Sequence, residues 1–345
     1  MCDDPLCRFG RLSKIDGDLV VDDSGRRLWR GQCASDPEQI ERTIRRHGGE
    51  DARIGIETGP MTPWLVHELR GRGLAVTCLD ARHARAVLKM QINKTDQNDA
   101  EGLAQIMRTG WYRSVHVKSF DSHRARALLG ARAQLVGMTT RLSNHIRGVL
   151  KTFGMLPGAG RNLAFDRRVE TLLTDRAEVA PIVQPMLAAW RQLRQQTATF
   201  DKAVRVLVKS SPTCRHLMGV PGIGVLSVLA YVSMVEDPAR FGRSRSVGAH
   251  LGLTPKQYQS GEIDRSGRIS KCGDALARTL MYEAAVVLMT RVKRAHGLKD
   301  WAQAIARRSG AGKARIALAR KLAVILHSMW RSGEPFRWSE QPAAV

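Results

Sequence analysis

Short apolar runs and helix-like periodicities alternate along the first 118 residues. Leu19–Val21 and Arg27–Trp29 flank the turn-forming residues Asp22, Asp23, Ser24 and Gly25, which predicts a β-hairpin. Asp36 stands where it can cap a helix running through Ile40 and Ile44 to Gly48. Ile54–Glu57 and Leu74–Leu79 read as buried strands, with a helix over Pro63–Gly71 between them whose apolar positions are Trp64, Leu65 and Leu69. Val115–Val117 is expected to form a last strand. Strands alternating with helices predict an α/β domain built on a mixed sheet.

The pattern then becomes helical. Residues 122–152 read as one long helix, with Leu128, Leu135, Leu142 and Val149 repeating every seven and Ala131 and Met138 in the seam between them. Val183, Met186, Trp190, Leu193, Thr197, Phe200, Val204 and Leu207 step by three and four without a break, the seam of a coiled coil. Such a seam serves either an intramolecular helical hairpin or dimerisation. Gly154–Asp166, with Pro157, Gly158 and Gly160, is the expected joint between the two helices. From Cys214 onward the chain reads as a compact helical unit with one Gly/Ser-rich excursion, Gly252–Gly273, and helix up to Trp330. The expected organisation is therefore an α/β domain over 1–120, a helical coiled-coil region over 121–212 and a mainly helical domain over 213–332.

Leu217–Val235 is uncharged and long enough for a membrane span. It also holds Gly219, Pro221, Gly222, Gly224, Ser227 and Ser233, so a short helix, a tight turn and a buried second helix are expected instead. No signal peptide is expected, because Asp3 and Asp4 occupy the place of a basic leader and no apolar run follows. The six cysteines form no CxxC pair, which fits a reducing cytoplasm.

Charge narrows the function. The chain carries a net charge of +23. Residues 1–120 hold 19 Lys/Arg against 17 Asp/Glu, and the rest hold 36 against 15. So one-sided an excess favours a polyanionic partner, since each neutralised phosphate releases condensed counterions.

The acids of the first part form a pattern. Asp96 and Asp99 stand three apart at a helix start, and Leu103 and Ile106 continue the same face, so both carboxylates are expected to point toward the packing. Glu57 ends the apolar strand Ile54-Gly55-Ile56, where Thr58-Gly59-Pro60 turns the chain. A carboxylate at a strand's carboxyl end, within reach of a helix bearing two more, is how oxygen-rich Mg²⁺ sites are built. Helix N-terminal acids and a strand-end acid are the plainer reading of the same residues.

Two further motifs lie in the basic part. Gly219-Val220-Pro221-Gly222-Ile223-Gly224 resembles the turn of a helix-hairpin-helix module, in which Gly222 and Gly224 would let backbone N–H groups approach a phosphate. Ser260 precedes a glycine in a polar segment near Arg265, Arg268 and Lys271. A serine attacking a phosphodiester needs such cations to hold the non-bridging oxygens. By that standard Ser266 and Ser270 are equally placed.

The string from Ile56 to Ser119, IETGPMTPWLVHELRGRGLAVTCLDARHARAVLKMQINKTDQNDAEGLAQIMRTGWYRSVHVKS, resembles the catalytic domain of DEDD transposases of the insertion-sequence 110 family. GVPGIGVLSVLAYVSMVEDPARFGRSRSVGAHLGLTPKQYQSGEIDRSGRISKCGDALARTLMYEAA is similar to that family's carboxy-terminal domain. The resemblance implies an RNase H-like (RuvC-type) first domain in which four acids hold two Mg²⁺ ions, with Glu57, Asp96 and Asp99 as three of the four. It implies that Ser260 attacks DNA and forms a transient phosphoserine link. It further implies a structured guide RNA that pairs with donor and target DNA. Homodimers joining into a homotetramer would set the serine of one protomer against the acids of another. One departure stands out. The family's first strand bears an Asp, whereas Arg8-Phe9-Gly10-Arg11-Leu12 has no acid and no evident strand pattern. Asp16 and Asp18 are the nearest substitutes, and a degraded or mis-started amino terminus would give this pattern. The leading expectation is an RNA-guided, Mg²⁺-dependent DNA recombinase acting in the cytoplasm. Its rivals are a metal-only junction endonuclease and a non-catalytic nucleic-acid-binding relic.

Overall fold

The computed structural model describes residues 6–9, 17–89, 93, 95–158, 163–294 and 297–338. Asp16 and most of the Arg8–Leu12 segment lie outside them. The chain divides into two compact units, Met1–Ser119 and Phe120–Val345.

The first unit is built on a five-stranded sheet of order β3-β2-β1-β4-β5, formed by β1 (Leu6–Phe9), β2 (Gly17–Val21), β3 (Arg27–Gln32), β4 (Arg53–Glu57) and β5 (Ala75–Leu79). The three strands β2, β3 and β1 pair antiparallel, while β1, β4 and β5 run parallel. The first two residues of the segment without an evident strand pattern, Arg8 and Phe9, thus end a strand, and a central one. It has only four residues, paired on both edges, so backbone hydrogen bonding supplies what its sequence pattern does not. The expected strand at Val115–Val117 is absent; a single bridge between Leu79 and Ser114 is all that pairs there.

Alternation along the strands sorts the helices onto two faces. Val20, Ile54 and Ile56 pack with Ile40 and Ile44 of α1 (Pro37–Gly48) and with Leu65 and Leu69 of α2 (Thr62–Gly71). Leu19 and Val21 pack on the other face against Ala100 and Ala104 of α4 (Asp96–Thr109). Asp36 caps α1 by accepting the Gln39 N–H, as the sequence predicts. A helix outside the expected elements, α3 (Ala81–Leu88), follows β5 and is capped by Asp80.

In the second unit α5 (Phe120–Thr152) and α7 (Ala180–Ser210) form an antiparallel hairpin. Ala125 and Leu129 share a core with Val204 and Val208, whereas Ile146 and Leu150 share one with Val183, Leu187 and Trp190. The Arg132 guanidinium pairs with Asp201 between these two ends at 2.6 Å. A further helix, α6 (Leu163–Leu173), closes the open end with Phe165 and Val169. It takes in the last four residues of the stretch expected to be the joint, Leu163–Asp166.

The rest surrounds α9 (Val225–Val235). This helix is apolar all round and therefore buried all round, among α8 (Pro212–Leu217), α11 (Ala275–Thr290) and α13 (Ala311–Ser332). Tyr231 donates its hydroxyl to the Ala323 carbonyl at 2.8 Å, and burial pushes its ionisation well above the usual phenol range. The helices α10 (Arg245–His250) and α12 (Gly297–Ser309) complete the unit. The uncharged run thus becomes core, and among the described residues no helix is long and apolar enough to cross a membrane. Between α10 and α11 the excursion forms a two-stranded ribbon, β6 (Pro255–Ser260) and β7 (Ile263–Ile269).

Candidate nucleic-acid-processing residues

Sheet register and helix direction place the acids of the first unit. The β2–β3 turn lies against the last turns of α4: a Cβ on Gly25 would lie 3.1 Å from Nε of Arg108, which also reaches toward the Asp23 carbonyl. That turn follows Val21, which pairs with Leu6, which pairs with Arg53 at the start of β4. The end of α4 is therefore at the amino end of β4, and its beginning, with Asp96 and Asp99, at the carboxyl end, where Glu57 stands. The face agrees as well. A Cβ on Gly55 would meet Met107 of α4, and Glu57, two residues along, shares that face. Glu57, Asp96 and Asp99 thus belong to one layer and one edge.

The helix start is a local consequence of Thr95, whose hydroxyl accepts the Asn98 N–H at 3.1 Å. Asp99 is half-buried and continues into the buried Leu103 and Ile106. Asp96 is exposed, contrary to the expectation that both carboxylates turn inward, because the buried stripe of α4 begins only at Ala100. All three donors are carboxylates, the chemistry that suits a hard divalent ion. Among the described residues, however, no three His, Cys, Asp or Glu come close enough together to hold one.

Asp18 is 3% exposed, and its Cα partner in β1 is Phe9, which pairs with Ile56. It stands near the same edge but on the opposite face, that of Val20 and α1, where its charge helps to raise the Cys33 thiol above its usual range after the larger effect of burial. It therefore does not join the other acids. The described part of β1 ends at Phe9, opposite Ile56 and one residue short of Glu57, and the next residue in the sequence is Gly10.

In the second unit Ser260 ends β6 and pairs with Ile263 across the two-residue turn Gly261-Glu262. Gly261 has φ 55° while Glu262 has no positive φ, the pattern of a type II′ hairpin turn. The polar loop expected here is thus a ribbon with Ser260 at its tip. Ser260, Arg265 and Arg268 are all exposed on it, and Lys271 is exposed just beyond. Ser266 lies midway along β7, opposite Gln257, and Ser270 lies at the base, where its N–H bonds the Thr254 carbonyl at 2.8 Å. Only Ser260 is at the tip.

The two glycines of the PGIG turn have structural duties. A Cβ on Gly222 would lie 2.6 Å from the Ala284 carbonyl of α11, and its φ is 86°, so only glycine fits there. The Gly224 N–H is taken by the Ser227 hydroxyl at 2.9 Å, which closes the start of α9. Arg278, which no sequence motif marks, holds the ribbon's base with its guanidinium through the Leu251 and Cys272 carbonyls at 3.1 and 2.9 Å. Tyr258, 67% exposed on the ribbon, is likewise unmarked. The alternation around Ser260 and the Ser-Gly-Glu turn were the signals available for the ribbon.

Residues 18–155 match the IS110 DEDD transposase family model, and residues 214–301 match the transposase IS116/IS110/IS902 family. The chain is 29% identical over 272 residues to the transposase for insertion sequence element IS1111A of Coxiella burnetii, covering 77% of this chain and 74% of that one. It is 28% identical to a probable family 20 transposase of Pseudomonas aeruginosa, covering 80% and 83%. It is 30% identical to a putative transposase of Sinorhizobium fredii, covering 72% and 66%. The first of these matches carries with it an RNase H-like fold for the first unit.

Proposed function

Since the chain belongs to the IS110 family of insertion-sequence transposases, we propose that it cuts and rejoins DNA through Ser260 with help from a carboxylate-held divalent ion. The observation that carries the serine reading is the position of Ser260 at an exposed hairpin tip with Arg265, Arg268 and Lys271 nearby. A hydroxyl at a tip can approach a phosphodiester unobstructed, and the guanidinium groups can hold non-bridging oxygens as charge builds on them. Glu57, Asp96 and Asp99 are the residues that would hold the ion, proposed to be Mg²⁺, whose contribution is to stabilise developing charge on attacking and leaving oxygens. Donor and target DNA are the proposed partners, together with a guide RNA, and the basic excess of residues 121–345 supports binding of more than one polyanion. A homodimer or homotetramer is part of the same reading; Val136 and Met138, exposed along α5, support it.

The test is to incubate the full chain with Mg²⁺, its RNA and labelled donor and target DNA, then search for a DNA–protein adduct that survives denaturation. The expected adduct disappears in Ser260→Ala. Cleavage that persists in Ser260→Ala without any adduct would replace the serine with water as the attacking group. A second reading, nucleic-acid binding without cleavage, draws on one observation: Asp18, a candidate fourth ligand, lies on the sheet face opposite to that of Glu57. Under it Asp99→Ala leaves every measurable property of the chain unchanged.

A further inference from the structure

The β6–β7 ribbon stands out because every residue from Pro255 to Arg268 is exposed. A lone two-stranded ribbon is marginal in water. Among the described residues this one is tied at its base, by the Ser270 and Lys271 N–H groups on the Thr254 and Gly252 carbonyls and by Arg278. Side chains directly opposite in an antiparallel pair share a face. The pairs Ser260–Ile263 and Tyr258–Arg265 therefore lie on one face, and Gln259–Asp264 and Gln257–Ser266 on the other. The two faces differ in chemistry. One presents a hydroxyl, an aromatic ring, an aliphatic side chain and a guanidinium, with Tyr258 67% and Ile263 47% exposed. The other presents amides, a hydroxyl and the Asp264 carboxylate.

We infer that the Tyr258 face of this ribbon binds DNA, with the Tyr258 ring stacked on a nucleobase beside the phosphate that Ser260 meets. The inference rests on the proposed transposase function and adds to it a positioning residue and the part of the nucleotide it holds. Two strand positions separate the ring from the hydroxyl by about 7 Å, which is the scale of one nucleotide. Arg265, opposite the ring, is placed to hold the adjoining phosphate, and Ile263, beside Ser260, covers the sugar. Charge agrees with the choice of occupant, since Lys256, Arg265, Arg268 and Lys271 outnumber Glu262 and Asp264 along the ribbon and its base. An exposed aromatic flanked by cations is the arrangement that grips unpaired bases by stacking.

The test uses the full chain and a single-stranded DNA with 5-iodouracil in place of thymine, a base that photocrosslinks to stacked aromatic rings. Binding is followed separately by fluorescence anisotropy. The expected result is a crosslink mapped to Tyr258, kept in Tyr258→Phe, lost in Tyr258→Ala, and accompanied by about tenfold weaker binding in the alanine variant. Because the ring contributes nothing to a core, both variants are expected to fold. DNA binding with crosslinks only elsewhere would overturn the inference and leave the transposase reading standing. An RNA of the same sequence crosslinking at Tyr258 where the DNA does not would overturn it in favour of RNA. Absence of any DNA binding would overturn both the inference and the proposed function.

Discussion

Lys271 has a φ of 56°, one of two non-glycine residues with positive φ among those described, and it is exposed at the base of the ribbon. Left-handed geometry costs a side-chain-bearing residue about 1–2 kcal/mol. Glycine would remove that cost and lose about 0.5–1 kcal/mol through its freedom in the unfolded chain. Lys271→Gly is therefore expected to keep or slightly raise the thermal midpoint. If the ammonium contacts phosphate, the same variant lowers the slope of log affinity against log salt by about 1. A fall in midpoint with an unchanged slope would make Lys271 structural. Burial gives a contrasting residue in Cys78, within β5, whose thiol is pushed up to about 11 and is 2% exposed.

At the scale of elements, the PGIG turn separates packing from binding. Gly222→Ala meets the Ala284 carbonyl and is expected to cost about 2–3 kcal/mol. Gly224→Ala enters open space at a φ of −108° and is expected to cost under about 1 kcal/mol. Chemical denaturation of both variants checks this, and equal losses would refute the packing account. The strands β2, β4 and β5 were legible because apolar runs and turn residues coincide there, and α1 because Asp36 caps an amphipathic stripe. The helix α3 was not, since it spans only eight residues and among them only Ala84 is buried. The short β1 was hidden for a related reason, its place being fixed by pairing on both sides. The seam of α7 was visible, but its partner was not: only the shared cores at either end show that α5 takes it up within the chain. Of the candidate site, residue types and spacing marked Glu57, Asp96 and Asp99, whereas Ser260 was set apart from Ser266 and Ser270 only by the family resemblance. Which face Asp18 takes, and that Ser260 crowns a ribbon, depend on register, which only pairing reveals.

For the whole molecule, charge and acids divide between the two units. The almost balanced first unit holds the carboxylates, and the second carries nearly all the positive excess. Glu57, Asp96 and Asp99 share an edge without forming a closed cluster among the described residues, and the residue after Phe9 is Gly10. If these acids hold the ion, Asp99→Asn is expected to lower Mg²⁺-dependent cleavage by tenfold or more, corresponding to about 1.4 kcal/mol of transition-state stabilisation. Unchanged cleavage in that variant would show that the metal acts elsewhere.

The exposure of the β6–β7 ribbon has one more consequence, for how the protein can change over generations. Substitutions in a core are filtered first by whether the chain still folds, and most of them fail there. Residues from Lys256 to Arg268 escape that filter because they bury nothing. Their sequence can drift, or be shuffled in a laboratory library, with selection acting on what the ribbon touches rather than on foldedness. Altered preferences for neighbouring nucleotides should therefore evolve fastest in this segment.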